Sequence, residues 1–385
     1  MDRSHGASTS TPSRSPARQA GVALALYVAT VASIILGLRV DATYFVGFGE
    51  ESEFLPYAEA VLGDVDVALP DGHDGQQFWI LARDPLLLEG IVTAEPLDRP
   101  LYRAQRIGYP LLASPWRIGG ERLLIWGLLV TNLVVVAVGT ALAAGLGGTE
   151  RRRYPSGLAF AASPLVWLAV LYDFSDALAL AGLLGMLVGL RGRRTGWAVA
   201  SVVVACLAKE TSLLAVLAVA GIGRGLGRRE RAGLVLAGIL PLGVWRLYAM
   251  SRPSFGSDPE VREFSIVPFA GFIDAWRIGW SPQELWGDAA AAMLLVVLMA
   301  LVAATWWRNR WSWELTGALP YALMLPFLSH HVVGISVNVV RAVGPALTLG
   351  ALWYLGGRSS AEGRRGWGPI LPTDGREAPP GRVDP

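Results

Sequence analysis

The chain has 385 residues, of which 53% are hydrophobic and 17% charged, with a net charge of +2 and a mean hydropathy of +0.43. Soluble domains carry about a quarter charged residues, so this deficit excludes an ordinary soluble domain and points to the bilayer. The near-neutral charge, without a basic groove interleaved with aromatics, excludes a nucleic-acid partner, and the single Cys206 closes no internal disulfide and completes no zinc site.

Residues 1–19 are polar, basic and rich in Ser and Pro, which predicts a disordered cytoplasmic tail. The run Ala20 to Val40 reaches spanning length and ends in Arg39-Val40-Asp41, so it reads as an uncleaved first transmembrane helix rather than a signal peptide. The stretch 41–122 follows as a large external loop. Its DGHDGQQFWILARDP segment, Asp71 to Pro85, opens on the turn formers Asp71-Gly72 and Asp74-Gly75. Gln76 to Ala82, with Phe78, Trp79 and Leu81, then fits a short amphipathic helix on the membrane surface. Asp74 stands at the start of that helix. It is either a helix cap or a general base held above an apolar surface to take a proton from an acceptor hydroxyl. Tyr102 to Trp116 mixes Arg103 and Arg106 with aromatics and reads as a second interfacial helix, whose guanidinium forks match the oxygens of an anionic headgroup.

Further apolar segments run from Leu123 to Leu146, Pro155 to Leu171, Ala177 to Leu190, Gly196 to Ile222, Ala232 to Met250, Ala289 to Trp307, Leu315 to Leu328 and Ser336 to Leu355. Short arginine-rich loops are cytoplasmic; here they are Arg151 to Arg153, Arg191 to Arg194, Arg224 to Arg231, and Arg308 to Arg310. A single helix from Gly196 to Ile222 would put the cluster at Arg224 to Arg231 outside and invert every later loop. The conflict disappears if the segment is a hairpin of two short helices broken at Lys209-Glu210-Thr211. Lys209 is the sole lysine of the chain, and an ammonium at membrane depth costs roughly 2.5–3.5 kcal/mol on insertion scales unless paired or wetted. Glu210 is the partner nearest in sequence. The fold class that follows is all-α and polytopic, with about ten membrane segments. The transmembrane domain covers 20–356 of the inner membrane, residues 357–385 form a second disordered tail, and both termini are cytoplasmic.

This topology sets polar residues from distant elements at one depth, near the outer face: Lys209, Glu210, Arg246, Asp173, Asp176, His331, Asn338 and Arg341. Individually they have plain readings. Arg246 and Arg341 can snorkel to headgroups, Asp176 can cap a helix, and the His330-His331 pair lacks acidic neighbours at ligand spacing. Taken together they predict an outward-facing polar cavity lined also by Asp71.

The loop and the break carry a resemblance. Asp74-Gly75-Gln76 followed by aromatics and Ala82-Arg83-Asp84-Pro85, then Arg103-Ala104-Gln105-Arg106 leading to Tyr109-Pro110, resembles a group of bacterial proteins related to the GT-C glycosyltransferases. The stretch LAKETSLLAVL, Leu207 to Leu217, is similar to the basic break those proteins carry between two short helices. The resemblance implies a polyprenyl-phosphate sugar donor, an acceptor on the outer face, and a catalytic acid residue in the first external loop. By it, Asp74 is the base, and Lys209, Arg341, Arg246 and Arg106 are ligands of the donor phosphate. Many GT-C enzymes show paired acidic residues in that loop, whereas Gly75 follows Asp74 here, so the need for a divalent metal stays open; no metal ligand set is assigned. The partners implied are the lipid-linked donor and membrane lipids. Two alternatives stand beside glycosyl transfer: a transporter or flippase for an anionic lipid or small solute, and a non-catalytic envelope-assembly protein.

Overall fold

The computed structural model describes residues 15–70, 72–146, 156–256, 258, 263–279, 282–309 and 312–355. Over these the chain is helical, without a strand; the extended contacts among the described residues are isolated bridges, Gly49 to Leu69 and Phe264 to Leu328. Among the described residues the helices used below are α1 (Pro16–Leu38), α2 (Asp74–Arg83), α3 (Glu121–Leu146), α4 (Asp176–Arg191), α5 (Thr195–Ala208), α6 (Ser212–Ile222), α7 (Arg228–Met250), α8 (Pro282–Arg308), α9 (Trp313–Met324) and α10 (Ser336–Leu355), with a further helix at Ala270–Gly279. Shorter helical turns link them.

Helix α1 begins earlier than the composition of the tail suggests. Ser15 accepts a hydrogen bond from the Arg18 amide at 3.2 Å, and Pro16 takes the first helical position, where a missing N–H costs nothing. The helical chain thus includes Pro16 to Gln19, while residues 1–14 and 357–385, where the tails were expected, lie outside the described residues. Helices α1, α3 and α7 are each long and apolar enough to cross a membrane. The flanks of α1 and α7 turn apolar side chains outward: Leu26, Leu36, Val244 and Leu247 are all exposed. Such a surface suits hydrocarbon and not water.

The long apolar segment from Gly196 is interrupted. Helix α5 ends at Ala208, Lys209 adopts an extended backbone (φ −155°, ψ 121°), and α6 starts at Ser212. The chain then turns back. Arg231, in the first turn of α7, donates to the carbonyls of Ala220, Gly221 and Gly223 at the end of α6, while a Cβ on Gly233 of α7 would lie 3.7 Å from the Val199 side chain near the start of α5. The start of α5 and the end of α6 therefore meet beside one turn of α7, and Lys209 sits at the opposite tip.

The loop of residues 41–122 departs from expectation. Helix α2 does not lie on the surface: every residue from Gly75 to Ala82 is buried, with Phe78, Trp79 and Leu81 fully enclosed. Its polar face is covered too, since Gln76 accepts from the Ser52 hydroxyl at 3.0 Å. The amphipathic pattern reported one apolar face; neighbouring turns wrap the other. The second interfacial helix is instead three pieces, Pro100–Ala104, Gly108–Ala113 and a 3₁₀ turn at Ser114–Gly119. Pro110 and Pro115 each remove an amide that a continuous helix would use. Exposed Leu111 and Leu112 in the second piece and Ile118 in the third keep a surface-lying character there. The segment from Pro155 is likewise split, into Leu158–Ala161 and Pro164–Leu171. Pro164 restarts the helix, and the Ser163 hydroxyl accepts from Thr348 of α10 at 2.8 Å.

Candidate functional site

Two glycines fix where the charged residues can stand. A Cβ on Gly75 would strike the Val46 carbonyl and come 2.6 Å from the Tyr172 carbonyl, so only a hydrogen there lets the start of α2 press between those strands of chain. That seats Asp74, in the first turn of α2, directly above the turn preceding α4. Gly108 packs on α5 just before its end, where a Cβ would lie 2.7 Å from the Ala208 amide nitrogen. The neighbouring Arg106 is thereby brought to the Lys209 break.

Two buried arginines, Arg106 and Arg341, and the half-buried Arg103 meet around Asp74. Arg103 forks onto Asp98 through Nε (2.8 Å) and Nη2 (2.7 Å) and gives its remaining Nη1 to Asp74 Oδ1 at 2.6 Å. Arg106 forks onto Glu210 through Nε (3.0 Å) and Nη2 (2.8 Å), and its Nη1 lies 3.6 Å from Asp74 Oδ2. Arg341, from α10, donates through Nε to Asp176 at 2.9 Å and places Nη2 2.7 Å from Asp74 Oδ2. Each guanidinium thus has a carboxylate of its own and turns a leftover edge to one shared carboxylate. All three also lie over rings: Arg341 4.0 Å above Phe174, and Arg106 and Arg103 4.4 and 5.4 Å from Tyr102.

The electrostatics follow from these distances. Burial by itself would push the Asp74 carboxyl up, but Arg103, Arg341 and Arg106 outweigh it and hold the group well below the usual carboxylate range. Burial pushes the Tyr102 phenol up to about 12, against the pull of Arg106. Tyr102 is therefore a neutral hydroxyl, one that accepts a hydrogen bond from Arg106.

Lys209 takes a partner that sequence proximity did not suggest. Its ammonium pairs with Asp176 and donates to the Arg341 carbonyl at 3.2 Å, whereas Glu210 belongs to Arg106. The extended backbone at Lys209 turns consecutive side chains apart, so neighbours in sequence face different partners.

These groups border a cavity of about 160 Å³ lined by Asp74, Arg106, Lys209, Glu210, His331, Asn338 and Arg341, with Arg99, Tyr102 and Arg103 on its outer wall. Asp176 lies behind this wall, pairing with two of the lining cations. Beside the cavity, Glu263 pairs with Arg99 at 3.2 Å, and Asp258 accepts from the Leu101 and Tyr102 amides at 2.9 and 2.7 Å.

Not every expected residue joins them. Asp173 is fully buried elsewhere, where Oδ1 accepts from Tyr109 at 3.1 Å and lies 3.3 Å from the Asn132 amide. Arg246 sits on the exposed flank of α7, bonded to Gln105 at 3.0 Å, and does not line the cavity. Asp71 lies outside the described residues. Asp74 is the first helical residue of α2 rather than its cap, which is His73. Conversely, sequence reasoning left Asp98, Arg99 and Glu263 unassigned, and Arg103 was grouped with headgroup binding alone. The close run Asp98-Arg99 ahead of Arg103 was the signal to be found. Among the described residues no cluster of three or more His, Cys, Asp or Glu side chains is placed to hold a metal ion.

Comparison with known proteins finds no match to a family model, to a curated protein or to a solved structure.

Proposed function

We propose that the protein is a membrane glycosyltransferase of GT-C type that moves a sugar from a polyprenyl-phosphate donor to an acceptor hydroxyl on the outer face of the membrane. One observation carries this reading: three arginines, two of them buried, converge on the Asp74 carboxylate at a cavity bordered by the Lys209 break. Guanidinium forks suit phosphate oxygens, and a carboxylate beside them suits proton removal from an incoming hydroxyl. In the reaction, the acceptor oxygen bonds to the anomeric carbon as the bond from that carbon to the phosphate oxygen breaks. The electron pair leaves with the phosphate, where Arg106 and Arg341 stabilise it, and the hydroxyl proton passes to Asp74. The polyprenyl tail lies between helices in the apolar layer.

The reading includes a topology of about ten membrane segments in the inner membrane, both termini cytoplasmic, with the cavity facing out. Arginines at one end of the bundle support it: Arg191 pairs with Glu314, and Arg231 caps the end of α6. The decisive experiment incubates the purified protein with a panel of polyprenyl-phosphate sugars and measures released polyprenyl phosphate. Release that depends on acceptor and on Asp74 is expected; a full panel without turnover would end the reading.

An interrupted helix near the membrane midplane is also a device of transporters, and the α5–α6 break favours that second reading. Movement of an intact lipid-linked sugar across proteoliposomes, without cleavage, is the outcome that would select it.

A further inference from the structure

We infer that the Asp74 carboxylate occupies the seat of the ligand's phosphate, so that a lipid phosphate binds by displacing Asp74 from the arginines and thereby frees it. The inference rests on the preceding reading for the identity of the anion, a phosphate carried on a polyprenyl chain.

The pairing pattern points to exchange. Asp98, Glu210 and Asp176 each satisfy one arginine, and Asp176 also takes Lys209. Without Asp74 the cluster holds four cations (Arg103, Arg106, Arg341, Lys209) and three carboxylates, leaving one positive charge and three guanidinium edges aimed at one point. Asp74 fills that point and brings the cluster to neutrality. A phosphodiester monoanion carries the same charge and accepts from the same donors.

The hold on Asp74 is uneven. Oδ1 accepts a 2.6 Å bond from Arg103. Oδ2 is buried with Arg341 2.7 Å away, while Arg106 stays at 3.6 Å, beyond hydrogen-bond reach. A carboxylate has two oxygens at a fixed spread, while three edges surround it, so one geometry is left imperfect. A phosphate group presents its oxygens tetrahedrally and can meet Arg106 and Arg341 together. The space points the same way. The cavity, about 160 Å³, is below the roughly 300–1,000 Å³ usual for ligand pockets, so a sugar phosphate enters only if side chains at its wall move. Asp74 is the lining group whose departure opens both the space and the donors.

Displacement would couple binding to chemistry. With phosphate seated, Asp74 loses the arginines that keep it a weak base and gains an anionic neighbour, so the cluster carries one surplus negative charge. Accepting the proton of the acceptor hydroxyl removes that surplus. The carboxylate is thus inert in the empty site and basic in the loaded one.

The test measures binding of farnesyl phosphate, inorganic phosphate and farnesol to the wild-type protein and to Asp74→Asn and Asp74→Glu. Asp74→Asn, lacking the internal anion, is expected to bind farnesyl phosphate about tenfold or more tightly than wild type, with farnesol unchanged and Asp74→Glu close to wild type. Equal or weaker binding by Asp74→Asn overturns the inference. Inorganic phosphate binding as tightly as farnesyl phosphate overturns the lipid source. A structure of the wild-type protein with farnesyl phosphate gives an answer that does not depend on the variant folding. The phosphate is expected against Arg341 and Arg106 with the Asp74–Arg341 contact broken, and phosphate bound with that contact intact overturns displacement. Tighter binding by Asp74→Asn, with no turnover of any lipid-linked sugar by the wild-type protein, would leave displacement standing and sink glycosyl transfer; wild-type turnover with equal binding by Asp74→Asn would do the reverse.

Discussion

Asp74 shows how much a single side chain depends on what surrounds it. In the sequence it was a helix cap or a base, and Asn caps about as well as Asp. The structure gives the cap position to His73 and surrounds Asp74 with guanidinium groups. Asp74→Asn is therefore expected to lower turnover by roughly two to four orders of magnitude, checked by donor cleavage alongside thermal unfolding of the same preparation. The acid stability of the protein carries a second signature of this residue. The native Asp74 carboxyl is held below its ordinary value, with burial opposed by Arg103, Arg341 and Arg106. A depressed native pKa contributes stability that is fully present above the unfolded value, about 3.9, and is lost as pH falls through the native one. The Tm difference between wild type and Asp74→Asn should thus stay constant from neutral pH down to about pH 5 and shrink in stronger acid, below about pH 4. A difference that vanished already at pH 6 would contradict the arginine cage.

At the scale of elements, close approach decides the site. Helix α5 ends under Gly108, and this contact places Arg106 over the Lys209 tip. Gly108→Ala is expected to destabilise the protein by about 1–3 kcal/mol, because a methyl group there meets backbone that cannot step aside. Gly243, inside α7 with open space where a Cβ would go, is the control. Its replacement by Ala should be neutral or stabilise by roughly 0.5–1 kcal/mol through helix propensity. Thermal unfolding of both variants in detergent checks the pair, and equal effects would remove the packing argument. The break between α5 and α6 was legible in the sequence because one lysine and four arginine-rich loops could not be reconciled otherwise. The burial of α2 was not. Periodicity reports which face of a helix is apolar, and the polar face of α2, with Gln76 and Gln77, is enclosed by turns distant in sequence.

For the whole molecule, the arrangement of α5, α6 and α7 puts Arg228 and the start of α7 at the end of the bundle opposite Lys209. In a Cys206→Ala background, a cysteine at position 228 is expected to resist a membrane-impermeant thiol reagent in sealed cells. A cysteine at position 89, an exposed position in the 41–122 stretch that the proposed topology places outside, is expected to react. Labelling at 228 from outside would invert the proposed topology and move the cavity to the cytoplasmic face. Removing Cys206 is a mild change, since it is an unpaired thiol buried among apolar side chains.

The sequence by itself determined the helical class, the apolar segments and the interruption at Lys209. These rest on composition, spacing and the cost of charge in hydrocarbon, all of which are local or additive along the chain. Only the tertiary structure decided the pairing: Lys209 with Asp176 instead of Glu210, Arg103 drawn in beside Asp98, Arg246 and Asp173 left out of the cavity. Ion pairing falls steeply with distance and direction, so which carboxylate meets which cation depends on how helices far apart in sequence approach one another, and no spacing along the chain records that.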